Sequence, residues 1–168
     1  MSIRTWNNTL FLDAMPGRYG PLADWIRDME QSKIDVIVCL TSEAEIRKKS
    51  PDYAELQRDA QSRDGQTFLS LGKREIVLQD FPIEDYSAPA EEDVEAFWRL
   101  AAETGRRLEE GSRVFVHCGA GIGRTGTFAV AVLMTMGKDV KEASQEIARV
   151  RSWPETSEQK ELLEAGPA

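Results

Sequence analysis

Residues 114 to 128, VFVHCGAGIGRTGTF, combine a nucleophile, a cation and a flexible backbone in one short stretch. His117 and Cys118 end an apolar run, and three alternating glycines separate them from Arg124 and Thr125. A tight loop that leaves a strand and enters a helix can turn its backbone N–H groups inward, where they bind a tetrahedral anion. Glycine permits the backbone conformations that such a loop needs. The stretch therefore predicts a binding site for phosphate or a similar oxyanion.

The same stretch contains the groups for nucleophilic chemistry on a bound phosphate. Helix N-termini and nearby cations favour the thiolate form of cysteine, so we expect Cys118 to be an ionised nucleophile. Arg124 offers a planar fork of donors to two phosphate oxygens and keeps its charge at any working pH. His117, the chain's single histidine, is expected to orient the loop and not to act as a base, because a preformed thiolate needs none. Thr125 would place a hydroxyl beside the sulfur and stabilise it as a leaving thiolate.

Two nucleotide-binding motifs compete for the glycine-rich loop. GIGRTG, residues 121 to 126, satisfies G-x-G-x-x-G, but a dinucleotide-binding unit needs a strand after the helix and an acid about 20 residues on. The segment after the helix, KEASQEIARV, is itself helical in pattern, and no strand-like run follows the loop. A nucleotide-triphosphate loop requires a lysine that the motif lacks. Both alternatives are therefore disfavoured.

The elements that must position this loop alternate between strands and helices. Apolar and β-branched runs predict strands at 9–14, 34–40, 67–72, 74–81 and 113–118. Helical periodicity predicts helices at 21–32, 87–111, 123–137, 140–151 and 156–166, and a polar helical segment at 41–65 that Ser50-Pro51 interrupts. This order predicts an α/β fold with a mostly parallel central sheet of about five strands and helices on both faces. Ligands bind at the carboxyl ends of such strands, where His117 and Cys118 lie.

Length and composition limit the class of protein and its partners. The 168 residues, 41% hydrophobic and 30% charged, suit a single globular domain over residues 1–168. The formal net charge of −8 argues against nucleic acid or an anionic membrane as a partner, because both attract clustered Lys and Arg. No apolar run is long enough to span a membrane, no secretory signal is visible, and two cysteines fit a reducing compartment. We therefore expect a cytoplasmic protein.

HCGAGIGRTG resembles the signature of the cysteine-dependent protein tyrosine phosphatases, His-Cys-x5-Arg-[Ser/Thr]-Gly. The resemblance includes the strand IDVIVCL, the segment PIEDYSAP and the helices on either side of the loop, and it is strongest to compact dual-specificity and small microbial tyrosine phosphatases. It implies transfer of a phosphoryl group to Cys118 and then hydrolysis, with no metal and no other cofactor. It also implies that the phosphate is bound by Gly119, Ala120, Gly121, Ile122, Gly123 and Arg124.

The mechanism implied by the resemblance needs a general acid. Three carboxylates compete for this role in the segment LQDFPIEDYSAP: Asp80, Glu84 and Asp85. The resemblance favours Asp85, which follows Pro-Ile-Glu on a loop upstream of the nucleophile. A positioned acid typically contributes about 10² to 10⁴ in rate, so we expect the loss of Asp85 to slow catalysis and to leave phosphate binding largely intact.

Two further residues have roles that stay open at this point. Gln159 matches the family's water-positioning glutamine, but Thr156 and Gln159 also form a capping-box pattern, in which the glutamine reaches back to the start of its helix. Cys39 ends a strand expected beside the catalytic one, and related phosphatases place a second cysteine there that traps the oxidised nucleophile as a disulfide. The alternative for Cys39 is a buried apolar side chain.

The loop composition also bears on the substrate. The five residues between Cys118 and Arg124 include no lysine, whereas phosphoinositide phosphatases of the resembled superfamily tend to carry basic residues there. We therefore expect a phosphorylated protein or peptide, with phosphotyrosine preferred and dual specificity open. A phosphatase of small polyphosphates, such as inositol phosphates, is an alternative that needs further cations, for which Lys73 and Arg74 are candidates. A non-catalytic phosphate-binding module is a second alternative, although no expected catalytic residue is missing.

Overall fold

A seven-stranded sheet forms the centre of the protein, and the computed structural model describes it within residues 3–168. In chain order the strands are β1 (Arg4–Trp6), β2 (Leu10–Asp13), β3 (Val36–Cys39), β4 (Gln61–Arg63), β5 (Gln66–Leu71), β6 (Arg74–Asp80) and β7 (Val114–His117). Their order across the sheet is β1-β2-β7-β3-β6-β5-β4. The strand that precedes the glycine-rich loop, β7, therefore lies near the middle of the sheet.

The central four strands, β2, β7, β3 and β6, are parallel, and antiparallel strands complete both edges. This arrangement confirms the α/β fold with a largely parallel central sheet. The sheet has two strands more than expected, because the sequences of β1 and β4 show no strand pattern. Each has three residues and no buried side chain, so neither produces an apolar run.

The helices cover both faces of the sheet. They are α1 (Leu22–Gln31), α2 (Glu43–Lys49), α3 (Pro51–Arg58), α4 (Val94–Glu109), α5 (Gly123–Thr135), α6 (Val140–Arg149) and α7 (Ser157–Ala165). Buried side chains of α1, α2 and α3 form one core cluster with one face of the sheet, and those of α4 to α7 form a second cluster with the other face. None of the helices within residues 3–168 has the length and apolar character that a membrane crossing requires.

Two sequence-based boundaries differ from the structure. The helix expected at 87–111 begins with a 3-10 turn at Glu91–Asp93 and continues as α4. The residues before this turn remain a loop, and the carbonyl of Ser87 accepts a hydrogen bond from the side chain of Gln159. The segment 41–65 divides at Ser50-Pro51 into α2 and α3, as expected, but ends in β4 and not in a helix.

The four parallel strands end at the same edge of the sheet. The residue pairs in register there are Asp13 with His117, His117 with Cys39, and Cys39 with Asp80. The chain leaves this edge in the loops that lead to α1, to α2, to α4 and to α5. These loops bring together side chains that are far apart in the sequence.

Candidate active site

Residues 118–122 form the loop between β7 and α5, here called the phosphate loop, and several of its carbonyl groups bond to groups outside it. The carbonyl oxygens of Gly119, Gly121 and Ile122 accept hydrogen bonds from groups outside the loop. Among the described residues, the N–H groups of Gly119, Ala120 and Ile122 have no protein acceptor, and that of Gly121 donates to Cys118 Sγ over 3.3 Å. The first N–H groups of α5 are free by helix geometry. Cys118 therefore lies, 2% exposed, at the base of a set of free amide donors.

Two glycines are required by close contacts of the backbone around the loop. Gly121 has φ +76°, and a Cβ there would lie 2.4 Å from the carbonyl carbon of Asp13. A Cβ on Gly126, in the first turn of α5, would lie 2.3 Å from the backbone nitrogen of Trp153. The glycines thus allow the loop to pack directly on β2 and on the segment between α6 and α7.

Arg124 is 2% exposed and is held through both terminal nitrogens. Nη1 donates to Glu45 Oε1 and to the carbonyl of Ile83, each over 2.8 Å. Nη2 donates to Glu45 Oε2 over 2.8 Å and lies 3.2 Å from Asp85 Oδ1. Arg124 Nε and Thr125 Oγ1 are buried without a hydrogen-bond partner among the described residues. Buried polar atoms are rarely left unpaired, so these two atoms indicate a polar ligand at the loop.

Glu45 is a site residue that sequence reasoning missed. It lies in α2, and besides the two hydrogen bonds from Arg124 it accepts one from Lys49 Nζ over 2.8 Å. The hydrogen bond from Arg124, followed by that from Lys49, lowers the pKa of Glu45 from 4.5 to about 2, against the opposing effect of burial. The available signal was its place shortly after β3, because β3 lies beside β7 and ends at the same edge of the sheet.

Of the three candidate acids, the structure brings Asp85 to the loop. Its Oδ1 accepts a hydrogen bond from the N–H of Tyr86 over 3.0 Å and faces Arg124. The side chain is 48% exposed, so it borders both the loop and solvent. Asp80 ends β6 and lines a separate cavity beside α3, where burial raises the pKa of its carboxyl group. Glu84 is exposed and has no described hydrogen bond to the loop.

His117 is fully buried beneath the loop, and each of its two ring nitrogens makes a hydrogen bond. Its Nε2 lies 2.8 Å from the hydroxyl of Tyr53, and its Nδ1 lies 3.2 Å from the carbonyl oxygen of Cys118. Burial lowers the pKa of His117 to about 4, so the ring is neutral at pH 7. Burial also raises the pKa of Tyr53 well above 10, so the tyrosine keeps its proton. A neutral ring fits the tyrosine as donor to Nε2 and Nδ1–H as donor to the loop carbonyl.

A family model described as the DSP-PTPase phosphatase domain of the Swiss Army Knife proteins matches residues 21–165. The chain belongs to this family. The resemblance to the cysteine-dependent phosphatases is therefore confirmed, and it extends beyond the loop to most of the chain. No curated protein sequence matches the chain.

Solved structures of phosphatases share the fold. Tk-PTP, in a structure of its active form, is 31% identical, with 98% of this chain and 95% of that chain covered and a TM-score of 0.67. Kinase associated phosphatase is 18% identical, with 92% and 83% covered and a TM-score of 0.70. PTPMT1 in complex with PI(5)P is 18% identical, with 95% and 90% covered and a TM-score of 0.63. The two more distant structures show the fold alone.

In this phosphatase domain, Gln159 lies under the loop that carries Asp85. Its Oε1 accepts from the N–H groups of Glu155 and Thr156, over 2.7 and 3.2 Å, and Thr156 Oγ1 accepts from the N–H of Gln159 over 3.2 Å. The capping box is thus formed. Gln159 Nε2 donates to the carbonyl of Ser87 over 3.1 Å and so connects α7 to residues 81–90, the loop that carries Asp85 and is called the acid loop. The role of Gln159 in positioning water stays a prediction.

Cys39 and Cys118 lie on opposite faces of the sheet of this phosphatase domain. Cys39 packs in the cluster beneath α1, α2 and α3, and Cys118 in the cluster beneath α4 to α7. Cys39 Sγ lies 3.4 Å from Thr41 Oγ1 and 3.6 Å from Gln57 Nε2, and burial raises the pKa of its thiol to about 11. Side chains that point apart need backbone movement before they form a disulfide. The redox pairing stays a prediction.

The cations named for a polyphosphate substrate do not lie at the site. Lys73 and Arg74 are at the amino-terminal end of β6, and Arg74 pairs with Asp35 just before β3, 3.0 Å away. Because β3 and β6 are parallel, both residues lie at the edge of the sheet away from the phosphate loop. These two residues are therefore not candidates for binding further phosphates, because the β5–β6 hairpin points away from the site. Lys48 and Lys49 in α2 are the lysines that line a cavity with the acid loop.

Proposed function

We propose that this domain is a phosphoprotein phosphatase that acts through a phosphocysteine on Cys118. The observation that carries the proposal is the set of unpaired donors around one buried sulfur: the free amides of the phosphate loop together with the unpaired Nε of Arg124. Directional donors that are fixed before the reaction stabilise charge on a transferring phosphoryl group without reorganisation. The alternative of a non-catalytic module lacks support, because nucleophile, cation and acid all lie at one place.

In the first step, Cys118 Sγ attacks phosphorus in line, the S–P bond forms and the P–O bond to the leaving group breaks. Asp85 donates its proton to the departing oxygen. In the second step, water attacks phosphorus, Asp85 accepts a proton from this water, and the thiolate leaves. The unpaired hydroxyl of Thr125 donates to the sulfur as it leaves. His117 stays neutral and holds the loop through its hydrogen bond to the Cys118 carbonyl.

Exposed aromatic residues at the site favour an aromatic phosphoester in a polypeptide. The large hydrophobic side chains most exposed among the described residues are Tyr19, Tyr86 and Trp153. Tyr19 and Trp153 line a cavity of about 440 Å³ that includes Ala120 and Ile122 of the phosphate loop. Tyr86 follows the general acid Asp85. Exposed aromatic groups around a polar site typically mark binding surfaces, and these groups would pack against a phosphotyrosyl ring and its neighbours.

A phosphatase of small polyphosphates is the second candidate. It is favoured by Lys48 and Lys49, which line a cavity of about 560 Å³ with Asp85. Against it, Lys49 is already paired with Glu45, and Glu84 lines the same cavity. The local charge is therefore balanced by carboxylates, whereas several phosphates would need an excess of cations.

The test compares wild type with Cys118→Ser on a phosphotyrosyl peptide, a phosphoseryl peptide and inositol hexakisphosphate. We expect turnover that depends on Cys118 and is fastest on the phosphotyrosyl peptide. Asp85→Asn should lower kcat by about 10² to 10⁴ and leave the affinity for inorganic phosphate nearly unchanged. Asp80→Asn is the matched control, because it removes a carboxylate from the same segment without contacting the loop. No cysteine-dependent turnover on any of the three substrates would overturn the proposal, and fastest turnover of inositol hexakisphosphate would favour the second candidate.

A further inference from the structure

Arg4 lies in β1 at the edge of the sheet, yet its guanidinium reaches the phosphate loop. Its Nη2 donates to the carbonyl oxygen of Gly121 over 2.8 Å. Its Nη1 donates to the carbonyl oxygens of Val150, over 3.3 Å, and of Arg151, and lies 3.2 Å from Ser152 Oγ. One side chain thus connects β1, the phosphate loop and the segment between α6 and α7.

The carbonyl of Gly121 has a second donor. The hydroxyl of Ser152, a residue with no exposed surface, donates to it over 2.7 Å. A carbonyl oxygen has two acceptor positions, and here both are filled from outside the loop. The next residue of the same segment donates as well, because the N–H of Trp153 lies 3.2 Å from the carbonyl oxygen of Ile122.

The direction of the Gly121 carbonyl determines the direction of the following amide. In a planar trans peptide, the C=O of Gly121 and the N–H of Ile122 point in opposite directions. A carbonyl that is held outward therefore places this N–H on the inner side of the loop. Gly121 has φ +76°, and glycine permits several other conformations, so the local sequence does not fix this peptide. A rotated peptide would remove one donor and turn a carbonyl oxygen toward the anion.

We propose that Arg4 and Ser152 are positioning residues that hold the Gly121–Ile122 peptide with its N–H toward the bound phosphoryl group. Both residues act on the phosphoryl group through the loop, and Arg4 also lines the cavity that contains Tyr19, Trp153 and Ala120. The inference rests on the proposed function, because it takes the loop as the phosphoryl site. The rival explanation is a simple field effect, in which the charge of Arg4 attracts the anion without any contribution from its hydrogen bonds.

Two substitutions separate hydrogen bonding from charge. Arg4→Lys keeps the charge, but a single ammonium group cannot reproduce the fork that bonds Gly121 and the 150–152 segment together. Ser152→Ala removes one neutral donor and changes no charge. If Arg4 acted by its field alone, both variants would behave as wild type. Arg63→Ala is the control, because it removes an exposed arginine from β4 and leaves the loop untouched.

The readouts are the dissociation constant for tungstate by calorimetry, the kinetic constants on p-nitrophenyl phosphate, and the melting temperature. We expect the tungstate dissociation constant to rise about fivefold in Ser152→Ala and about tenfold or more in Arg4→Lys, because hydrogen bonds made by charged groups are stronger than those made by neutral groups. KM should rise in parallel, and Arg63→Ala should bind tungstate as wild type does.

Tungstate affinity within about twofold of wild type in both variants would overturn the proposal, given the expected size of these hydrogen bonds. The same holds if only the melting temperature falls, because that result indicates a structural role alone. If Arg4→Lys fails to fold, Ser152→Ala still decides. A wild type that binds tungstate but hydrolyses nothing would contradict the proposed function and leave the positioning role testable by affinity.

Discussion

Replacing Glu45 by glutamine should destabilise the protein through Arg124 and not through packing. Glutamine has almost the same shape but no charge, and its amide nitrogen would face a guanidinium N–H, donor against donor. Arg124 would remain buried, with the carbonyl of Ile83 and the carboxylate of Asp85 as its other partners. Removing one partner of a buried ion pair is destabilising, because the remaining charge stays out of water.

The size of the effect follows from the pKa of Glu45, which folding lowers from 4.5 to about 2. One pKa unit is about 1.4 kcal/mol, so a pKa lowered by roughly 2.5 gives an upper limit of about 3 to 4 kcal/mol at neutral pH. The side chain is 16% exposed, and screening by water reduces this figure further. Because the folded-state pKa is the lower one, the stabilisation is fully present above pH 4.5 and is lost as the pH falls through about 2. At about pH 3.5, the linkage relation leaves about 2 kcal/mol.

Urea denaturation of wild type and Glu45→Gln at about pH 7 and about pH 3.5 measures both the size and the pH dependence. We expect the difference in the free energy of unfolding to be at most about 3 to 4 kcal/mol at the higher pH and to shrink by roughly two-fifths at the lower one. Glu43→Gln, on the exposed side of the same helix, should change it by less than about 0.5 kcal/mol. A Glu45→Gln protein as stable as wild type, or a difference that does not shrink in acid, would refute the reasoning.

Three further outcomes follow from buried contacts. Burial lowers the pKa of His117 to about 4, so its imidazole should show no NMR titration between about pH 8 and pH 6. The free energy of unfolding should fall as the pH falls from about 6.5 toward 4. An NMR titration midpoint near the ordinary pKa of histidine would contradict this. Tyr53→Phe should lower the free energy of unfolding by about 1 to 2 kcal/mol, because His117 Nε2 loses its partner, and an unchanged urea midpoint would speak against that bond. Gly126→Ala should cost more than about 2 kcal/mol, because its Cβ meets the backbone of Trp153; Gly20→Ala, with open space around it, is the control, and equal stability of the two would exclude the clash.

The chemistry of the phosphate loop could be predicted because it is local. The nucleophile, the glycines, Arg124 and Thr125 follow one another in the chain, so their types and spacing alone indicate an anion site with a sulfur beneath it. The order of apolar runs was enough for the α/β fold, and alternation of strands and helices placed the loop at the carboxyl end of β7. Asp85 could be named only from the resemblance, since three carboxylates in its segment fit the spacing equally well.

What the sequence did not indicate depends on contacts between distant segments. Glu45, Tyr53 and Arg4 contact Arg124, His117 and Gly121 from α2, α3 and β1. Each has an ordinary local pattern: an acid in a helix, an aromatic residue in a helix, a cation in a polar strand. Their roles depend on the sheet order, which places β1 and β2 on one side of β7 and β3 on the other. No periodicity in the sequence specifies that order.

A net charge of −8 does not prevent anion binding, because the attraction of the site for an anion depends on the groups next to it and not on the net charge of the protein. Salt screens the field of distant charges beyond about 8 Å, so the 29 acidic residues act mainly where they touch the loop. Near the loop, the carboxylates of Glu45 and Asp85 contact the terminal nitrogens of Arg124, and Arg124 Nε has no partner among the described residues. Much of the attraction for an oxyanion then comes from N–H groups that are directional and carry no net charge. A site of this kind selects its ligand by geometry. The positions of its N–H donors depend on the contacts that hold each peptide of the loop.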